Sequence, residues 1–200
     1  MQPARRHFFD NRNDPVTVTH ADPASPRREE AESFIRQVFA RHHAADVTSF
    51  APNLVLFERH QQIVAACGWR PAASEKLFLE CYLEQPIEHA MTGLAQQPVR
   101  RDEIVEVGNL AAEKPGGTIQ VVMALTAHLD RLGYKWLTFT ATRELIAILN
   151  RLGLPALALA PADPQRLGEA AAAWGSYYSQ QPVVVAGRIR TALARVARRA

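Results

Sequence analysis

The 200-residue chain holds only two cysteines, Cys67 and Cys81. Neither belongs to a C-x-x-C pair, and both sit in apolar runs, which predicts buried, reduced thiols; a nucleophilic Cys81 is the competing reading. A chain of this length buries a core without disulfides or metal. No apolar run approaches the ~20 residues that span a bilayer as a helix, and the best candidate, 154–162, is too short. The opening residues, Met1-Gln-Pro-Ala-Arg-Arg-His-Phe-Phe9, lack the apolar core of a signal peptide. A cytoplasmic location is therefore expected, with peripheral membrane contact left open. Charge of one sign is also scarce. A net +3 without a clustered basic patch argues against a nucleic-acid partner. Neither G-x-G-x-x-G nor G-x-x-x-x-G-K-[ST] occurs, so neither a dinucleotide fold nor a P-loop is supported. No metal site is expected. Adjacent His42 and His43 point in different directions from a helix, whereas helical ligand pairs use i, i+4 spacing.

What is present is ordered around 103–154. Glu103 to Ala112 is rich in β-branched and apolar residues and reads as a strand. Glu113-Lys-Pro-Gly-Gly-Thr118 is the strongest turn signal in the chain. Val122, Leu125, Leu129 and Leu132 then recur at helical spacing up to Gly133. Lys135 to Thr140 alternates as a strand, and Arg143 to Leu152 is a second amphipathic helix. Two strands joined through such a helix form a βαβ unit with parallel strands. Upstream, Ser25-Pro26 opens a helix closed by His42-His43. Residues 53–59 and 62–69 read as an antiparallel hairpin. Helical stretches follow at 77–84 and after Pro86, the latter with Ile87, Met91 and Leu94 inward. Downstream come a strand at 155–160, an Ala-rich helix from Pro164, a strand at 182–187 and a basic helical end. The expected fold class is α/β (α+β): a mixed central sheet flanked by helices. The expected organisation is an N-terminal extension over 1–24, one domain over 25–190 and a basic tail over 191–200.

Two features carry chemistry. A glycine turn between a strand and a helix leaves backbone N–H groups aligned with the helix dipole, an anion site suited to phosphate. Gly116, Gly117 and Thr118 are the candidate donors, with an ordinary turn as the competing reading. A Glu106 carboxylate among Ile104, Val105, Val107 and Leu110 would be desolvated and suited to general-base work. The competing reading is a solvated, outward-facing Glu106. A bulge near Gly108 would re-aim it. Asn109 could then bond a substrate carbonyl or cap the bulge.

The runs Leu77–Glu88, Ile104-Val-Glu-Val-Gly-Asn-Leu-Ala111, Gly133-Tyr-Lys-Trp-Leu-Thr-Phe-Thr140, Arg151-Leu-Gly-Leu154, Trp174-Gly-Ser-Tyr-Tyr178 and Pro182-Val-Val-Val-Ala-Gly187 resemble the bacterial thermostable hemolysin family. That pattern is in turn similar to the GNAT acyltransferase fold and, more distantly, to acyl-homoserine-lactone synthases. Their conserved-type strand has Glu, then Ser and Arg; here Glu106 stands, with Gly108 and Asn109 in the other places. This departure argues against a homoserine-lactone substrate and leaves acyl transfer. The resemblance implies transfer of an acyl group from acyl-CoA or acyl-carrier protein to a small amine acceptor, without metal. Glu106 and Asn109 would be catalytic. The strand at Leu110, Ala111 and Ala112 would pair with the pantetheine arm. Lys114, Gly116, Gly117 and Thr118 would hold pyrophosphate or the phosphate of acyl-phosphopantetheine. The tyrosine that often serves as general acid in that fold is absent, since Ile148-Leu149-Asn150 stands in its place; Tyr177 or Tyr178 could substitute or be core aromatics. Leu79, Tyr82, Leu83 and Met91 could line an acyl channel or pack on the sheet. Two alternatives stand beside the enzyme: a membrane-active hemolysin using the arginines of 188–199, and an acyl-CoA-binding module without catalysis.

Overall fold

The computed structural model describes residues 16–113, 117–154 and 156–198, without the side chains of 117–120. Seven strands form one sheet: β1 (Thr17–Ala21), β2 (Asn53–Arg59), β3 (Gln62–Pro71), β4 (Ile104–Ala112), β5 (Trp136–Ala141), β6 (Leu157–Pro161) and β7 (Val183–Arg188). Their spatial order is β1-β2-β3-β4-β5-β7-β6. Every pairing is antiparallel except β4 with β5, which is parallel. A parallel pair needs a long crossover, and α3 (Gly117–Arg131) supplies it. The remaining helices are α1 (Arg28–His43), α2 (Ile87–Ala95), α4 (Arg143–Arg151) and α5 (Ile189–Ala197). The expected mixed sheet flanked by helices is the fold observed.

The two faces of the sheet carry separate cores. On one, Val55, Val105, Val107 and Leu137 pack against Val121, Leu125 and Leu129 of α3 and Ile189 of α5. On the other, Leu54, Leu56 and Ala111 meet Ile35, Val38 and Phe39 of α1. Ile104 and Trp136 meet Leu79, Ile87 and Met91 on that same face. Leu79 and Met91 are fully buried there, so they belong to the core. Leu94 is half exposed rather than inward: α2 is only nine residues long, and Ile87 and Met91 already fill its inner face.

Two stretches read as α-helix are 3₁₀ turns instead, Phe78–Tyr82 and Pro164–Trp174. In the second, Gly168 at φ 57° interrupts the helical path, a conformation that only glycine adopts cheaply. Elements of the sheet and its helices also lie outside 25–190. β1 pairs with β2 along its whole length, and α5 buries Ile189 and places Leu193 against the α3-side core.

The ion pair of the buried Glu80 with the partly exposed Arg101 fastens the chain between β3 and β4. Arg101 Nη1 and Nη2 lie 2.6 and 2.9 Å from the two oxygens of Glu80. Those oxygens also accept from the N–H groups of Leu77 and Ile87. Burial alone would raise this carboxyl, but Arg101 and the two N–H groups outweigh it and carry it down to about 2. Arg101 further donates to Glu88 and to the carbonyls of Ala72 and Glu75.

Candidate active site

The site begins where two strands part. β4 and β5 pair only at Ile104↔Trp136, Val105↔Leu137 and Glu106↔Thr138. Beyond that, β4 continues beside β3 as far as Ala112, and β5 continues beside β7 as far as Ala141. A gap therefore opens in the sheet directly after Glu106. Its cause is a bulge. The β3–β4 register runs Gly68↔Gly108 and then Ala66↔Ala111, so Asn109 and Leu110 together stand opposite Cys67. Two residues against one bend the strand and break its phase. Asn109 takes φ 50°, a left-handed conformation that Asn tolerates better than most residues.

The Asn109 side chain stabilises that bend. Its Oδ1 accepts from Ala51 N–H at 2.9 Å, and its Nδ2 donates to the Ser49 carbonyl at 3.2 Å. Both functions of the amide are thereby engaged by the loop before β2. Gly68 lets this loop approach: a Cβ there would lie 2.7 Å from Ala51 Cβ and 3.1 Å from Asn109 Oδ1. By ladder alternation, backbone groups of β4 that face β3 include those of Ile104 and Glu113, which bond to Ala72 and Val64. The groups of Val107, Leu110 and Ala112 consequently point into the gap. Ala111, by the same count, faces β3.

Glu106 stands at the apex of the gap, on the face away from α3, and is 5 % exposed. Its Oε2 accepts from Phe78 N–H at 2.8 Å and its Oε1 from Leu79 N–H at 3.0 Å. Arg70, its cross-strand neighbour on β3, places Nε 3.4 Å from Oε2. Burial raises the Glu106 carboxyl above its ordinary range, and Arg70 and the two N–H groups only partly offset that.

A pocket of ≈ 350 Å³ passes through the gap. On the α3 side its lining is mainly aliphatic, with Val122, Leu137, Leu145 and Ile148 beside the single ring of Phe139. On the Glu106 side it is aromatic, with Phe39, Phe78, Tyr82, Trp174, Tyr177 and Tyr178. Neighbouring rings there lie 5.2–6.5 Å apart between centroids. The hydroxyls of Tyr82 and Tyr178 are hydrogen-bonded to each other. Burial pushes Tyr178 up to about 12, and burial together with the Tyr178 hydroxyl raises Tyr82 further still. Both therefore stay protonated at neutral pH. His43 packs edge-on against Tyr177 as part of this wall. The thiol of Cys81 is raised chiefly by burial, which disfavours the thiolate a nucleophile needs.

Of the residues singled out from sequence, Glu106, Asn109, Leu110 and Ala112 line the pocket. Ala111 is buried against the α1 side. Gly117 opens α3, and Thr118 follows it in the first turn. Lys114 and Gly116 lie outside the described residues. Among the described residues no group of His, Cys, Asp or Glu side chains is placed to hold a metal ion, and no helix is long and apolar enough to cross a membrane. Sequence reasoning missed Arg70, Phe39 and Phe78. Arg70 stands one residue past the strand read over 62–69, and no local pattern fixed a second partner for that strand.

The sequence matches the family described as thermostable hemolysin over residues 21–193. No curated protein matches it. Several solved structures share the fold. TofI, solved in a ternary complex with an inhibitor and MTA, superposes with a TM-score of 0.63 at 17 % identity, covering 91 % of this chain and 96 % of that one. FeeM, an N-acyl amino acid synthase from uncultured soil microbes, gives 0.61 at 9 % identity, with 91 % and 95 % covered. BjaI, a CoA-dependent acyl-homoserine lactone synthase solved with SAM and isopentyl-CoA, gives 0.60 at 12 % identity, with 92 % and 89 % covered.

Proposed function

The chain belongs to the thermostable hemolysin family, and from that premise we propose that it is an N-acyltransferase, moving an acyl group from acyl-CoA or acyl-carrier protein to an amine. The observation that carries this reading is the gap between β4 and β5 with a buried carboxylate at its apex. Unpaired backbone groups of a parted sheet accept an extended, amide-bearing chain as a further strand would. Pantetheine is such a chain. The groups of Val107, Leu110 and Ala112 pair with it. Gly117 and Thr118, at the start of α3, hold the phosphate end, and Lys114 and Gly116, which precede them in the sequence, are assigned to the same group. The aliphatic chamber at Val122, Leu145 and Ile148 receives the acyl tail.

The reaction then follows from placement. The amine nitrogen attacks the thioester carbonyl carbon, a C–N bond forms, and the carbonyl electrons move to oxygen. Glu106, directly or through one water, takes the proton that the nitrogen sheds. A carboxyl raised by burial is a stronger base than a solvated one. Backbone N–H groups at the gap stabilise the oxyanion. Collapse breaks the C–S bond, and the proton held by Glu106 passes to the departing sulfur, directly or through one water, giving the free thiol. Asn109 keeps the bulge in place. An acylated, detergent-like product would account for hemolysis without a membrane-spanning element.

The test is mass spectrometry of the purified protein with acyl-CoAs or acyl-carrier proteins and pooled amines. An acyl-amide product supports the reading. Donor binding without product under all donors would refute catalysis and leave a binding module.

A further inference from the structure

The Glu106 side of the pocket holds two opposite charges and a wall of rings, and the arginine there is unlike a structural one. Arg101 spends every nitrogen: Nε on Ala72, Nη1 on Glu80 and Glu88, Nη2 on Glu75 and Glu80, all within 3.1 Å. Arg70 is 16 % exposed and lines the pocket, yet its nearest partners are Glu106 at 3.4 Å and Glu75 at 3.6 Å. Both distances exceed a good N–H···O bond. Its guanidinium therefore keeps unspent donors in a fork that suits a planar carboxylate. One cross-strand step away stands Glu106, the group that meets the amine.

Resting on the acyltransferase reading, we propose that the acceptor is an α-amino acid with an aromatic side chain, which binds as its zwitterion and releases one ammonium proton to solvent before its free amine attacks. Its carboxylate bonds Arg70, its amine faces Glu106, and its ring enters the chamber of Phe39, Phe78, Trp174 and Tyr177. The neighbouring charges of Arg70 and Glu106 match the neighbouring carboxylate and amine of such a molecule. The chamber supplies ring faces and edges, which hold another ring better than they hold a flexible chain. Base and nucleophile must also share one side of the thioester. The aromatic chamber is on the Glu106 side, so it takes the acceptor, and the aliphatic chamber takes the acyl tail.

The experiment compares each amino acid with its decarboxylated twin: phenylalanine with phenethylamine, tyrosine with tyramine, tryptophan with tryptamine. Donors are dodecanoyl-CoA and dodecanoyl-carrier protein, and products are read by mass spectrometry. A charged hydrogen bond contributes about 1.5–3 kcal/mol, so the carboxylate-bearing member should lead by roughly 10–100-fold in kcat/KM. Arg70→Gln should collapse that ratio toward one through KM for the amino acid. Glu75→Gln provides a check that leaves Arg70 in place. Glu75 competes for the guanidinium, and an exposed pair of this kind is worth up to about 1 kcal/mol, so KM for phenylalanine should fall by up to about fivefold while that for phenethylamine holds. Acylation of the amines as well as or better than the amino acids would overturn the proposal and leave the acyltransferase standing. No product from any pair would overturn both. Equilibrium binding of phenylalanine followed by tryptophan emission separates these further, since binding that ignores the carboxylate contradicts the Arg70 assignment without any turnover.

Discussion

Glu106→Gln separates the chemical role of this residue from its structural one. Each oxygen of Glu106 accepts one N–H, at 2.8 Å from Phe78 and 3.0 Å from Leu79. Glutamine keeps one acceptor and turns an NH2 group toward the other N–H. One hydrogen bond is lost and a buried donor is left without a partner, which costs about 1–3 kcal/mol. Against this, the variant removes the desolvation of a buried charge, so the net loss of stability should sit at the lower end, about 1 kcal/mol. The loss in turnover should be far larger, about 10²–10⁴-fold, because a general base contributes that much. Urea unfolding measures the first quantity, and single-turnover acyl transfer with donor titrated separately measures the second. The pH dependence adds a signature. The folded carboxyl is raised above its unfolded value, so the folded state binds the extra proton and stability falls as pH rises from the unfolded pKa through the folded one. Turnover moves oppositely, rising as the base deprotonates. Both trends should vanish in Glu106→Gln. Wild-type turnover in a folded variant would refute the proton role outright, and a turnover loss that merely tracks unfolding would reassign Glu106 as a clamp for 78–79.

Arg101→Met leaves the Glu80 carboxylate buried with two N–H groups and no cation, and should cost about 3–5 kcal/mol in chemical denaturation. Because the Glu80 carboxyl is held from an ordinary 4.5 down to about 2, its stabilisation is present above pH 4.5 and lost as pH falls toward 2. In Arg101→Met the acid-unfolding midpoint should move upward, and an unchanged midpoint would remove the pair from the account. Gly68→Ala drives a methyl to 2.7 Å from Ala51, whose N–H is held by Asn109. Overpacking of this kind costs about 1–3 kcal/mol. Donor affinity should weaken with it, since the displaced loop braces the bulge, and unaltered binding by calorimetry would show that the gap does not depend on that brace.

The sequence announced most of the sheet because β4, β5 and β7 carry apolar, β-branched runs and the helices between them keep a 3.6-residue period. It announced Glu106 as well, as a carboxylate set in an apolar strand. The depth of its burial depends on Phe78 and Leu79, which approach from a 3₁₀ turn 27 and more residues away. Arg70 was hidden for a related reason. Its significance lies in the β3–β4 register, a non-local pairing shifted by a bulge that no periodicity displays. The aromatic chamber is assembled from α1, the 78–82 turn and 174–178, which touch only once the sheet has formed. Runs of alanine after Pro164 suggested an α-helix because alanine favours one. The backbone instead turns at Gly168 and Gly175, both at positive φ.

The bulge in β4 is also a matter of counting. Before it, Ile104 and Glu106 face the α1 side and Val105 and Val107 face α3. After it, Ala111 faces α1 and Ala112 faces α3, so odd and even positions have exchanged roles. A half-period shift of this sort is fixed by the number of residues between Glu106 and Ala111, whatever their side chains. Surface loops commonly absorb gained or lost residues while resisting little else. Here the tolerance is reversed: the Asn109 amide steadies the bend, but the residue count sets the phase, and deleting a single residue would bring the ladder back into step, let β4 run on beside β5 and seal the opening.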